Sequence, residues 1–170
     1  CSSDLVPSAT TFSGTDSGVT VDAASSNDLF FADHRAMPVA NVKVWAPDGS
    51  EGRIDNASTG AYRSTFDVKL DRPGTWKIGT INRMVTGTFR LDGEERRVGG
   101  RFGGMAPPRG DQRAAPVAVN EIPAQATDIK LVETISRNEL FVTADAPTTA
   151  IFKPSGVGLE FDPITHPDEL

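Results

Sequence analysis

Residues 41–47 read NVKVWAP, with Val42, Val44 and Ala46 on one face and Asn41, Lys43 and Trp45 on the other. That alternation has the two-residue period of a strand buried on one side, not the 3.6-residue period of a helix. Pro47-Asp48-Gly49 follows at once. The proline fixes φ and the glycine accepts positive φ, so a turn is predicted there. The same grammar recurs on both sides of this stretch. Residues 18–24 (GVTVDAA) alternate, and 64–70 (STFDVKL) align Phe66, Val68 and Leu70. Residues 74–81 (GTWKIGTI) align Trp76, Ile78 and Thr80, and 84–93 (MVTGTFRLDG) end on Asp92-Gly93, a hairpin-like pair. Leu29, Phe30 and Phe31 make a short apolar run. Strand character resumes at 127–135, where Ile129, Leu131 and Glu133 alternate with Lys130, Val132 and Thr134, and continues at 139–144 and 158–164. No helical stripe outlasts a turn or two. About eight short strands with a turn signal every dozen residues predict an all-β, immunoglobulin-like β-sandwich.

Composition agrees. In 170 residues, 38% hydrophobic and 24% charged, there is enough apolar material for a proper core. The 16 glycines and 12 prolines supply the punctuation that many short strands need. Residues 94–126 break the rhythm: they are rich in Gly, Pro and Arg and lack a sustained period, so a long irregular loop is expected there. A net charge of −6 argues against a nucleic-acid or anionic-membrane partner. Residues 82–113 gather seven arginines against four acids, but only Phe102 is available to stack on a base. No apolar run approaches the roughly 20 residues that cross a bilayer, so membrane insertion is not expected.

The chain offers little for catalysis. No G-x-S-x-G turn is present, and the single cysteine is Cys1. The segment 97–110 (RVGGRFGGMAPPRG) lacks the Gly-Lys-Ser/Thr of a phosphate-binding loop. Glu94-Glu95 falls in the expected loop, where burial could not tune a carboxylate. The chain therefore reads as a binding or structural module and not as an enzyme. The two imidazoles, His34 and His166, are not spaced as a ligand pair, although each has carboxylate neighbours, Asp33 beside the first and Asp168 near the second. These four are the candidate ligands for a divalent transition metal. Trp45, opposite the Val42/Val44 face, is the candidate ligand-facing aromatic, as in a carbohydrate-facing adhesion module.

The C-terminal third narrows the choice. Phe141-Val142-Thr143, Ala146-Pro147-Thr148, Phe152-Lys153-Pro154, Gly156-Val157-Gly158-Leu159-Glu160 and Thr165-His166-Pro167 follow one another at the spacing of a motif in the DUF4198 family of exported bacterial proteins, and the chain resembles that family. Residues 29–49 are similar to its Phe-Phe stretch and following strand. The resemblance implies immunoglobulin-like domains and a periplasmic or secreted location. It also implies a role in nickel or cobalt acquisition beside a metal transporter or outer-membrane receptor. The family's early histidine, in a pattern like His-x-x-x-Leu-x-Pro, has no counterpart: Leu5-Val6-Pro7 fits, but Cys1-Ser2-Ser3-Asp4 stands before it. Residues 1–5 resemble the translated end of a sequencing adapter and are expected to be a non-native leader. The domain is expected over 6–165, with 166–170 beginning a truncated second domain.

Overall fold

The computed structural model describes residues 2–14, 17–26, 34–99, 116–154 and 156. The chain divides into two compact units, Cys1–Ile81 with Arg137–Leu170, and Asn82–Ser136.

The first unit holds two sheets. One contains β1 (Ser2–Pro7), β3 (Ser17–Ser26), β7 (Ser64–Leu70) and β6 (Ile54–Thr59) in that spatial order, all antiparallel, with β4 (Arg35–Ala36) against β3. The other runs β2 (Thr11–Phe12), β10 (Thr127–Ala144), β8 (Gly74–Leu91), β5 (Val42–Trp45), with β2 parallel to the end of β10. Four strands in the order A-B-E-D face a sheet that pairs C, F and G. This is the topology of an immunoglobulin-like sandwich, its first strand divided between the two sheets. The chain begins pairing at Ser2, opposite Ser26, inside the stretch read as a leader.

The core forms where the alternating faces meet. Val19, Val21 and Ala23 of β3 and Phe66, Val68 and Leu70 of β7 are each fully buried. Val42, Val44, Trp76, Ile78, Val142 and Ala144 oppose them from the second sheet. The faces expected from the sequence are thus the buried ones. Trp76 keeps its indole N–H satisfied by donating to the Arg72 carbonyl at 3.1 Å. Thr75 and Thr143, both buried, bring their hydroxyl oxygens to 3.2 Å of each other. The turn after β5 closes as predicted, Gly49 donating to the Ala46 carbonyl and Ala46 to that of Ser50, both at 2.8 Å.

The second unit is a smaller antiparallel arrangement of the far part of β8, β9 (Glu94–Val98) and the first part of β10. Here one expectation is corrected. Residues 94–98, read as the start of an irregular loop, are a strand: Leu91 pairs with Glu94 across Asp92-Gly93, and Gly87 with Val98. Asp92 and Gly93 lie at φ +53° and +81°, the two positive values of a type I′ hairpin turn. The strand is masked in the sequence because EERRV begins with four charged residues, yet it buries Val98 and half-buries Arg96 on its inner face. Val117 extends this edge, bridging Val98 in parallel, and Val119–Glu121 forms a 3-10 turn. Residues 100–115 of the expected loop lie outside the described residues, as do Leu29, Phe30, Phe31 and the strand expected at 158–164.

Two further expectations merge. The segments 74–81 and 84–93 are one strand, β8, and 127–135 and 139–144 are one strand, β10. The polar residues between them, Asn82-Arg83 and Ser136-Arg137-Asn138, contain neither glycine nor proline and leave the ladder unbroken.

Candidate functional site

On β10 the even-numbered residues Leu140, Val142 and Ala144 pack into or against the core. Strand alternation therefore places Arg137, Glu139 and Phe141 together on the outer face of the sheet. On β8, Trp76 and Ile78 point inward, so Lys77 joins that outer face, and the register sets Trp45 of β5 directly opposite it. Trp45 and Lys77 are thus paired side by side on that outward face, and Glu139 of β10 reaches to 3.6 Å of Lys77 Nζ.

Residues on the outer face of a sheet are ordinarily wet. These are not. The side chains of Lys77, Arg137 and Glu139 are only 19%, 16% and 15% exposed. A segment after β10 covers them: Ala150–Phe152 makes one 3-10 turn, and Ile151, Phe152, Lys153 and Pro154 form the far wall of a pocket floored by Lys77, Arg137, Glu139 and Phe141. Phe141 and Phe152 pack ring on ring, centroids 4.9 Å apart and tilted by 50°. The covering segment is anchored by a reciprocal pair of bonds. Thr148 donates its backbone N–H to the Thr75 hydroxyl at 2.9 Å, and the Thr75 N–H donates to the Thr148 hydroxyl at 3.0 Å.

Electrostatically the pocket is basic. Lys77, Arg137 and Lys153 line it against one carboxylate, Glu139. The ion pairs are loose, Lys77 Nζ standing 3.6 Å and Arg137 3.9 Å from Glu139 Oε1. Direct charge-assisted hydrogen bonds are shorter, about 2.7–2.9 Å. Glu139 Oε1 is buried and accepts no hydrogen bond from the described residues. Lys77 Nζ also stands 4.8 Å from the centroid of the Trp45 ring, a cation–π contact that occupies one face of that indole. The arrangement can neutralise and orient an anionic group.

The residues expected from the sequence fall as follows. Trp45 is half-buried and reaches the pocket through Lys77. His34 is exposed, just before β4. Asp33, His166 and Asp168 lie outside the described residues. Among the described residues no three His, Cys, Asp or Glu side chains gather as a metal site would require. Among them, too, no helix is long and apolar enough to cross a membrane. Lys77, Arg137 and Glu139 were not singled out by the sequence. The available signal was parity, since Arg137 and Glu139 sit two apart on a strand whose alternate residues are core.

Fold and pocket together define an immunoglobulin-like domain with a basic, partly covered cleft on one outer sheet face. The chain belongs to the family described as Domain of unknown function (DUF4198), whose model matches residues 4–170. Comparison with curated proteins and with solved structures returns no match. The match includes the motif segments of the C-terminal third, of which 157–160 and 165–167 lie outside the described residues. Thr148 anchors the covering segment, while Phe141, Phe152 and Pro154 line the pocket.

Proposed function

We propose that this chain is a non-catalytic binding module of an exported protein, and that the pocket between β8, β10 and residues 151–154 is where it binds. The observation that supports this reading is the burial of Lys77, Arg137 and Glu139 on a sheet face that strand alternation would otherwise leave wet. Withdrawing charged side chains from water carries a desolvation cost that ordinary surface ion pairs avoid. A periplasmic or secreted location, and a role in nickel or cobalt acquisition with a transporter or receptor as partner, form the more specific version of the proposal. That version rests on the family resemblance and on His34, Asp33, His166 and Asp168 as donors.

Isothermal titration tests both levels. The chain is titrated with Ni²⁺, Co²⁺ and Cu²⁺ and with a panel of small anions and neutral saccharides. Saturable binding of any of these is expected. Absence of heat across the whole panel would sink the binding-module reading. A metal response that survives replacement of His34 and His166 by alanine would sink the assignment of those donors.

A further inference from the structure

We infer that the chain pairs with a second copy of itself along the exposed edge of β10, the two strands running antiparallel about a two-fold axis at Val132. The inference goes beyond the binding role proposed above and does not depend on it.

The direction of the peptide groups comes first. β10 has β8 on one side, and on the other it meets β2 only at Thr143 and Ala144. A Cβ built on Gly87 would collide with the Lys130 carbonyl oxygen, so that carbonyl points at β8, and the Asn138 carbonyl stands against Gly79 in the same way. On the opposite side the Thr143 N–H donates to the Thr10 carbonyl at 2.8 Å. Even-numbered residues thus turn their peptide groups to β8, and alternation turns those of Ile129, Leu131, Glu133 and Ile135 outward. Residues 127–134 are all exposed, and among the described residues no strand pairs with this edge before Thr143. Proteins ordinarily blunt such an edge with proline, bulges or a run of charges. Residues 129–135 (IKLVETI) contain no proline, and their charges are Lys130 and Glu133 alone.

Charge then sets the occupant and the register. Lys130 stands 3.4 Å from Asp128 and Glu133 3.6 Å from Arg83, so both are balanced within their own chain and the edge is spared the repulsion of a chain at −6. In a symmetric antiparallel pair, opposite residues share a face of the sheet, so the axis falls where one residue meets its own counterpart. An axis at Lys130 or Glu133 sets like charges opposite each other, which destabilises the pair. An axis at Leu131 sets Ile135 opposite Thr127, beyond Asp128, whose φ of +50° ends the regular edge. An axis at Val132 sets Ile129 against Ile135, Leu131 against Glu133 and Val132 against itself. Every outward peptide group from 129 to 135 then meets an outward group of the copy. The same axis covers Val132, which is 61% exposed in the single chain. A foreign strand would also satisfy the backbone, but the edge carries nothing that selects one, whereas its own charges and apolar residues select this register. The joint is one strand wide, which places it among weak, concentration-dependent associations.

Sedimentation of the whole chain from micromolar to millimolar concentration gives the first test, and a monomer–dimer equilibrium is expected. Amide hydrogen exchange gives the second. Raising the concentration is expected to slow Ile129, Leu131, Glu133 and Ile135, while Lys130, Val132 and Thr134, already turned to β8, stay unchanged. Val132→Lys and Val132→Glu alter an exposed side chain and are each expected to raise the dissociation constant about fivefold or more, since each sets like charges across the axis. Their equimolar mixture is expected to associate again, a recovery that misfolding could not produce. A chain that stays monomeric across the range overturns the inference and leaves the edge to a foreign strand or to solvent. A dimer that slows a different set of amides, or one that both Val132 variants leave intact, overturns it equally.

Discussion

The two units draw on the same two long strands and use them differently. In its first seven residues β8 buries all but Lys77, whereas from Ile81 onward Phe89 is its only fully buried residue. β10 reverses the order: its first eight residues are all exposed, and its last three are buried. The sequence pattern alone does not separate these halves. Ile129 and Leu131 sit two apart along their strand much as Val142 and Ala144 do, yet they are 50% and 41% exposed, against 0% for the latter pair. Period-two alternation specifies a strand with two unlike faces. Burial additionally requires a facing layer, which the sandwich unit has in β3 and β7. Among the described residues of the second unit, Phe89 and Val98 are the buried hydrophobic side chains.

The largest expected effect follows from that difference. Phe66 is fully enclosed between the two sheets, so Phe66→Ala removes a ring the surrounding strands cannot collapse to replace. A loss of about 3–5 kcal/mol is expected. Urea unfolding followed by tryptophan fluorescence measures it, because Trp45 and Trp76 both lie in the sandwich unit. A loss below about 1 kcal/mol would mean the core is far more plastic than close packing allows.

Phe89→Ala asks the same question of the thinner unit, where a smaller cost of about 3 kcal/mol or less is expected, since fewer layers must adjust around the vacated space. Its signature is location as much as size. Hydrogen exchange is expected to quicken at amides of 85–98 and 128–134, whose ladder Phe89 and Val98 support. Equal quickening throughout β3 and β7 would show that the two units open as one, and the contrast drawn between them would fail.

What the sequence made legible follows the same division. The core faces of β3, β5, β7 and the start of β8 were readable because a buried face leaves a period-two trace in hydrophobicity. The hairpin at Asp92-Gly93 was readable from turn chemistry alone, but its returning strand was not, since Glu94, Glu95, Arg96 and Arg97 conceal a single inward Val98. β6 was missed because IDNAST is polar on both faces, with Asn56 at φ +52° and a shift of register between Asp55 and Ser58. The pocket was illegible for a different reason. Lys77 and Glu139 look like ordinary outward charges in their own strands. They become a site only through the long-range pairing of β8 with β10 and the cover supplied by 151–154, and no local pattern encodes either. The candidate metal donors are conspicuous as residue types, but of the four only His34 lies among the described residues.

The smallest effect concerns the rim of the sandwich. In the turn after β5, the Asp48 carboxylate accepts the Ser50 hydroxyl at 2.6 Å and the Ser50 N–H at 3.0 Å, and Arg72 stands 2.6 Å away. The hydrogen bonds from Ser50, aided by the Arg72 charge, lower its pKa from 3.8 to about 2. A carboxylate whose pKa is lower in the folded state stabilises that state while it is ionised. The contribution is therefore whole above about pH 4 and disappears as pH falls through about 2. Asp67, held below its usual value first by the Asn56 amide and then by the Thr20 hydroxyl, acts in the same direction. Asp48→Asn is accordingly expected to melt slightly below the parent at pH 6 and to converge with it on acidification. Thermal melts at pH 6, 4, 3 and 2 measure the gap, which is expected to be modest because Asp48 and Arg72 are both solvent-exposed and ion pairs of that kind add little. A gap that widened toward pH 2 would reverse the sign of the linkage and remove Asp48 as a stabilising contact of the turn.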